Sequence, residues 1–580
     1  MLRRPTLQWT AAALLSLTAP SSANDKAPPA DLDSLVTSGF AKLETEWQVP
    51  GGVVAVFREG QLTYAAAHGV ARRTTGEPVD FETTSFRLAS LSKPVTAIAA
   101  LRLVERGELD LHAPVHDDYP SLHLDPRLTL AHLLTHTGGF EDKFLRRLQR
   151  DPANLPDLRS YLEQDMPRAS YPPGTVSIYS NHGMALAGLV VADAVDRSFP
   201  EAAEALVFEP LGMSRATFDW SHATQVATGY RFGAPSPTHG IKTVPSSMLS
   251  ATGADMVRLL EALLRPEEHD FLDPSTVELM FARHFEHHPD FTGRAFGWSE
   301  DSSVRPRRLL HSGGTDGFSS ALVVVPERAA GVFVAVNGNA YVWDLVRQIL
   351  DRVAPAIATR DKATSRPDVD ASRLAGLYVP AGLPTDTLDA ARQLFEQTSV
   401  VHDSKDRLLF RNRTYAPHEN DFATDDGRLL AANTQGTGRV LLFEEGEAWA
   451  KLPWHADRRL HLTGLAVLFA ATLLATVGLF RIDGPGARLV SAAAALQLLQ
   501  VLGLAGFIAV TLANDGGVLR FEVPIALRAL LYGPFVTTAL AALGAAKGIQ
   551  RHDRRVVLAA TLPLLWALWL HHWNLLGVHV

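Results

Sequence analysis

The chain has 580 residues, too many for one compact core, so several domains are expected. Its formal net charge of −8 is modest and argues against a nucleic-acid surface. It contains no cysteine, which excludes disulfides, thiolate metal sites and a lipoprotein anchor. The first segment reads as a signal peptide, residues 1–23: Arg3 and Arg4 are basic, Trp9 to Leu17 is a short apolar run, and Ser21-Ser22-Ala23 offers small residues at the cleavage positions. A helix is predicted near Asp33 to Trp47. A hairpin follows, with Val53–Phe57 and Gln61–Ala65 as strands and Glu59-Gly60 as the turn.

Ser90-Leu91-Ser92-Lys93 is followed by an apolar run at helical spacing, Pro94 to Leu101, so Ser90 is predicted at the start of a helix. Three positions separate Ser90 from Lys93, which sets both side chains on one helical face. A serine hydroxyl needs a neighbour to remove its proton, and a partly desolvated lysine can do that. Alone, Ser-x-x-Lys is weak: an N-cap serine beside a solvated lysine has the same pattern. Tyr171-Pro172-Pro173-Gly174 is a turn signal, and Tyr179-Ser180-Asn181 follows it. Tyr179 offers a phenol that can share a proton with a lysine, and Asn181 offers an amide that can hold both the lysine and a substrate carbonyl.

Further along, His284-Phe285-Glu286-His287-His288 is rich in ligand types but lies beside Pro289 in a polar stretch, and is expected to be a solvated loop rather than a metal site. His311-Ser312-Gly313-Gly314-Thr315-Asp316-Gly317 ends one short apolar run and leads into Ser319 to Val325. This pattern predicts an edge strand flanking a cleft. Small residues there let a substrate backbone approach, and backbone N–H groups of the strand and of Ser90 can bind an oxyanion. Val342 to Val353 is predicted as an amphipathic helix closing the first domain, with a linker over about 354–370. Short alternating runs at Leu374–Tyr378, Leu408–Arg411, Leu429–Ala431 and Val440–Phe443 predict a small antiparallel β domain ending near Trp454.

Four long apolar stretches close the chain, at about Leu462–Phe480, Leu489–Leu512, Val523–Ala546 and Val556–Leu576. Each is near the roughly 20 residues that cross a bilayer. Arg481 and Arg488 mark the first connector as cytoplasmic. Lys547, Arg551, Arg554 and Arg555 mark the third, while Arg520 lies between Asp515 and Glu522 in the second. The region before Leu462 is thereby expected outside the cytoplasm, although Arg458 and Arg459 oppose this. Arg528 is an intramembrane charge, and Trp566, Trp569 and Trp573 suit an outer aromatic belt.

The ordered set Ser90-Leu91-Ser92-Lys93, Tyr179-Ser180-Asn181 and His311-Ser312-Gly313 resembles the penicillin-recognising serine enzymes, in the branch of class C β-lactamases, DD-peptidases and D-aminopeptidases. Leu103 to Leu111 and Thr129-Leu130-Ala131-His132-Leu133-Leu134-Thr135-His136-Thr137-Gly138-Gly139 are similar to two further stretches of that branch. The resemblance covers about residues 30–355. It implies an α/β fold, an antiparallel sheet flanked by helices beside an all-helical lobe, with Ser90 at their junction. It also implies roles. Ser90 forms an acyl-enzyme, Lys93 and Tyr179 act as a coupled base, and Asn181 orients Lys93 and the substrate amide. His311 and Gly313 lie on the substrate-binding strand, and Ser312 can hydrogen-bond a carboxylate. Class C β-lactamases usually carry Lys-Thr-Gly where this chain has His-Ser-Gly. A histidine near its ordinary pKa is mostly neutral at pH 7, so a fixed cation for a substrate carboxylate is less assured.

The expected organisation is a hydrolase domain over 24–356, a β domain over 357–456 and four membrane helices over 457–580. The expected function is a membrane-anchored periplasmic serine hydrolase of the bacterial inner membrane, needing no cofactor and no metal and binding no nucleic acid. It is expected to cleave small D-amino-acid-containing or acylated peptides. A β-lactamase, an esterase or a non-catalytic penicillin- or peptide-binding sensor would use the same residues.

Overall fold

The computed structural model describes residues 31–288, 291–301, 304–358 and 370–385. From there to residue 572 it describes all but 386–389, 391, 394, 404, 419–420, 425–428, 434–439, 445–446, 480–483, 514–524 and 551–553. The expected signal peptide, most of the linker, and Arg481, Asp515, Arg520, Glu522, Arg551 and Trp573 lie outside the described residues. The chain divides into two compact units. One comprises Met1–Asp142, Gln149–Arg373 and His402–Trp449, the other Lys143–Leu148, Leu374–Val401 and Ala450–Val580.

An eight-stranded antiparallel sheet centres the first unit. Its strand order is Gly293–Ala295, Trp298–Asp301, Arg308–Thr315, Phe318–Val325, Ala330–Val336, Gly51–Arg58, Gln61–Arg72 and Glu77–Pro78. The hairpin and the helix Leu32–Trp47 fall where the sequence predicts them. The central strands read as continuous apolar runs such as Leu322-Val323-Val324-Val325 because helices cover both faces, leaving no solvated side to alternate toward. On one face Val36, Phe40 and Leu43 of the first helix pack with Trp343, Val346, Ile349 and Leu350 of helix Trp343–Val353 against Val54, Val56, Val323 and Val334. Their helical spacing puts these apolar side chains on one stripe. On the other side lie the helix Gly253–Leu264 and a helical lobe that contains Ser92–Glu105 and Asn181–Ala194.

The strand Arg308–Thr315 corrects the edge-strand expectation. Arg308, Leu309 and Leu310 pair with Asp301, Glu300 and Ser299 on one side, while Leu309 to Thr315 pair with Phe318 to Val324 on the other. Among the described residues the second half, His311 to Thr315, has no partner strand on its first side. It is an edge just where the signature residues stand.

The β domain is a closed barrel of eight strands, from Gly376–Pro380 to Glu447–Lys451. The sequence runs marked four of them. Thr398–His402, Arg413–His418, Asp421–Ala423 and Glu447–Lys451 were not singled out, their apolar residues being too few or too interrupted to stand out.

In the second unit three helices are long and apolar enough to cross a membrane among the described residues: Arg458–Val477, Gly486–Leu504 and Leu530–Gln550, with mean hydropathy 2.0, 1.5 and 1.2. Gly486 and Gly544 let two of them approach, since a Cβ on Gly544 would stand 3.0 Å from the Gly486 carbonyl oxygen. The fourth expected span is not one helix. Among the described residues it breaks into Arg554–Ala559 and Thr561–His572, neither of which is long enough there to cross. Pro563 accounts for the break: it lacks the N–H that would bond to the Ala559 carbonyl, and its ring crowds that carbonyl.

Candidate active site

Ser90, predicted at the start of the helix, instead sits in a turn between the strand Phe86–Ala89 and the helix Ser92–Glu105, two residues ahead of the observed helix start. Ala89 has φ 50°, a left-handed conformation that costs a non-glycine residue about 1 kcal/mol. Ser92 stabilises that turn. Its hydroxyl donates to the Ala89 carbonyl at 2.5 Å and accepts from the Leu249 N–H at 2.9 Å. Phe86–Ala89 pairs with Leu249–Ala251, which brings the preceding segment Val244–Ser247 alongside the helix.

Lys93 is fully buried. Its Nζ donates to Ser90 Oγ at 3.1 Å, to Asn181 Oδ1 at 2.9 Å and to the Ser246 carbonyl at 2.8 Å. Three acceptors match the three N–H bonds of an ammonium, so this arrangement suits the charged form. They also offset the cost of removing the charge from water. Asn181 begins its helix, capped by Ser180, whose hydroxyl accepts from the Gly183 N–H at 3.0 Å.

Lys93 Nζ also lies 4.6 Å from the centroid of the Tyr179 ring, within cation–π range. Tyr179 is flanked by His136, with ring centroids 4.6 Å apart, and by His311 at 6.2 Å. His311 Nδ1 lies 2.8 Å from the Ser312 carbonyl, an acceptor, which makes Nδ1 the protonated nitrogen. Burial, with Lys93 and Arg294 nearby, pushes His311 down to about 3. His136 Nδ1 accepts from the Ser180 N–H at 3.2 Å, and burial holds it well below its ordinary value, with the Arg294 and Lys93 charges adding to this. Both imidazoles are therefore neutral at pH 7.

Gly313 is fixed by close packing. A Cβ there would stand 2.0 Å from the Leu88 carbonyl oxygen and 2.3 Å from Ser320 Oγ, which itself donates to that carbonyl at 3.0 Å. The strand can lie against the segment that delivers Ser90 only if this position is glycine. The Ser312 hydroxyl has no hydrogen-bond partner among the described residues. The structure thus gathers Ser90, Lys93, Tyr179, Asn181, His311 and Gly313 around one point.

Four contributors escaped the sequence reading. The Ser246 carbonyl is a backbone group from a distant segment. His136 lay inside a stretch noted only for its family likeness. Arg294 and His287 carried no local signal. The expectation of a solvated loop at His284–His288 is also corrected. His284 stacks on Phe296 with centroids 3.7 Å apart, and His287 stacks on Phe443 at 4.2 Å. His287 Nε2 accepts from the Ser177 N–H at 2.9 Å, and burial pushes this imidazole down to about 3. His288 pairs with Asp421 at 2.9 Å. These rings serve packing and loop anchoring.

The profile of the family described as Beta-lactamase matches residues 37–353. Esterase EstB of Burkholderia gladioli is 35% identical over 225 residues, which cover 36% of this chain and 57% of the esterase. Penicillin-binding protein 4 of Amycolatopsis lactamdurans is 28% identical over 379 residues, 59% of this chain and 96% of that protein. A β-lactamase of Yersinia enterocolitica is 26% identical over 352 residues, 53% of this chain and 87% of the enzyme. A crystal structure of SurE with D-Leu has a TM-score of 0.55 at 24% identity, covering 73% of this chain and all of that one, and so shares its fold. The chain belongs to the Beta-lactamase family and is a serine hydrolase.

Proposed function

We propose that this chain is a membrane-anchored hydrolase that works through an acyl-enzyme on Ser90, with its catalytic domain in the periplasm of a bacterial inner membrane. Its substrates in this reading are peptides or amides carrying a D-amino acid or an acyl group. The observation that carries it is the single cluster formed by Ser90, Lys93, Asn181 and Tyr179. Ser90 Oγ attacks the carbonyl carbon while its proton passes to the Tyr179 phenolate. Lys93, an ammonium throughout, stabilises that phenolate and the negative charge that builds on Ser90 Oγ as its proton leaves. Tyr179 then protonates the leaving nitrogen or oxygen as its bond to carbon breaks. Water next attacks the acyl carbon, giving its proton to Tyr179, and Ser90 recovers its own proton as the acid leaves. Backbone N–H groups of Ser90 and the unpaired half of strand Arg308–Thr315 are proposed to hold the oxyanion.

The three apolar helices support the membrane anchor. The neutral His311 favours substrates whose binding does not rest on a cation at that position. An esterase is the second reading, supported by the 35% identity to an esterase over the stretch that is shared. Full-length chain in detergent, assayed on D- and L-peptides, N-acyl peptides, simple esters and β-lactams, separates the two. Faster turnover of D-configured or acylated peptides is expected, and turnover confined to esters would establish the second reading instead.

A further inference from the structure

The guanidinium of Arg294 is held inside the protein, with no carboxylate at ion-pair distance among the described residues. The residue is 5% exposed. Its Nε donates to Ser177 Oγ at 2.9 Å and its Nη1 to Ser299 Oγ at 2.5 Å. Among the described residues it forms no ion pair. Ser299 faces it across the strand register, Arg294 opposite Ser299, so the site is built into the sheet. Ser177 stands two residues before Tyr179, and its own N–H is fixed by His287, whose ring lies against Phe443. The arginine and the tyrosine loop are thus tied together by one serine.

Burying an unpaired cation is costly, and such groups concentrate where their charge is used. Five described groups interact with its charge. His136, His287 and His311 are held neutral, partly by its field. Burial pulls Arg294 down to about 10, and its attraction to a negative charge on Tyr179 and, next, on Glu447 acts against that fall. With His311 neutral, position 311 supplies no charge to the phenol.

We propose that Arg294 is a positioning residue for the reaction, acting through Tyr179: held by Ser177 and Ser299, it keeps the phenol in its proton-accepting form. This rests on Tyr179 being the base for Ser90. The Ser177 hydrogen bond also sets the angle at which the loop presents Tyr179.

The test is the pH dependence of Ser90 labelling by a fluorophosphonate probe in the full-length chain, a reaction that needs an activated serine and no known substrate. Labelling is expected to vanish in Ser90→Ala; persistence there overturns the assignment of the nucleophile, independently of Arg294. In Arg294→Gln the acid limb of the rate profile is expected to move up by about one pH unit, a roughly tenfold loss below the limb that is regained at higher pH. Arg294→Lys, which keeps a charge, is expected to retain most of the original limb. A limb that stays in place in Arg294→Gln, with the rate reduced equally at all pH values, overturns the proposal and leaves Arg294 a packing residue. Should Arg294→Gln fail to fold, Ser299→Ala keeps the charge but frees the guanidinium. It is expected to move the limb in the same direction by less, and an unmoved limb there has the same adverse meaning.

Discussion

The Ser246 carbonyl oxygen lies 2.8 Å from Lys93 Nζ and is one of the acceptors around a lysine sealed from solvent. That bond comes from a segment far along the chain, brought in because Phe86–Ala89 pairs with Leu249–Ala251. A cation so fully satisfied is anchored, and its charge acts on whatever else is near: the Ser90 oxygen and the Tyr179 ring.

Removing that charge should silence the site. Lys93→Met keeps length and burial but leaves Asn181 Oδ1 and the Ser246 carbonyl without their donor. Labelling of Ser90 by the fluorophosphonate is expected to fall by about a thousandfold or more. Lys93→Arg should fare little better, because a planar guanidinium cannot direct three donors as an ammonium does. Labelling rates with circular dichroism as a folding control check this, and near-normal labelling in Lys93→Met would remove Lys93 from the mechanism.

A methyl group at position 313 has nowhere to go. Its nearest neighbour would be the Leu88 carbonyl at 2.0 Å, a backbone atom one residue before Ala89 and two before Ser90. Gly313→Ala should therefore separate the strand from the nucleophile segment. The expected cost is about 1–3 kcal/mol in stability and about a hundredfold in activity. Thermal melts and turnover read both, and an unchanged rate would show that the strand does not set the position of Ser90.

Stability should fall with acid in a defined window. His311 is pushed down to about 3 in the folded chain, while an unfolded histidine titrates near 6.5. Between those values the unfolded state binds the extra proton, so folding stability rises with pH there and is lost as pH falls from 6.5 toward 3. At pH 5.5 His311 alone contributes a loss on the order of 1 kcal/mol. Melting temperatures of the wild type and His311→Gln between pH 7 and 5 check this: the variant should lose less on acidification. Equal losses would show that His311 is not a buried neutral group.

Much of this was legible beforehand because it depends on short spacings. Ser90 and Lys93 meet through one helical turn, and the Ser180 cap places Asn181 by local chemistry, so a single sequence reveals them. The β-branched runs of the central strands are equally direct. What stayed hidden is set by pairing between distant segments. Ser246 contributes only a carbonyl, which no side-chain pattern marks. Arg294 is one arginine among many until the sheet register puts it opposite Ser299. The histidines at 284–288 looked solvated because their partners, Phe296, Phe443 and Asp421, are supplied by tertiary packing. The fourth membrane segment was judged by composition, and the single Pro563 overrode that composition through its missing hydrogen bond.

The most direct measurement of the central claim is intact-mass spectrometry of the full-length chain after brief incubation with a panel of peptides, esters and β-lactams, followed by peptide mapping of any adduct. The account predicts a transient mass increase equal to the acyl group of a reactive substrate, mapped to Ser90 and absent from Ser90→Ala. Turnover of such a substrate with no acyl adduct on Ser90 under rapid acid quench, or with full activity in Ser90→Ala, would contradict it.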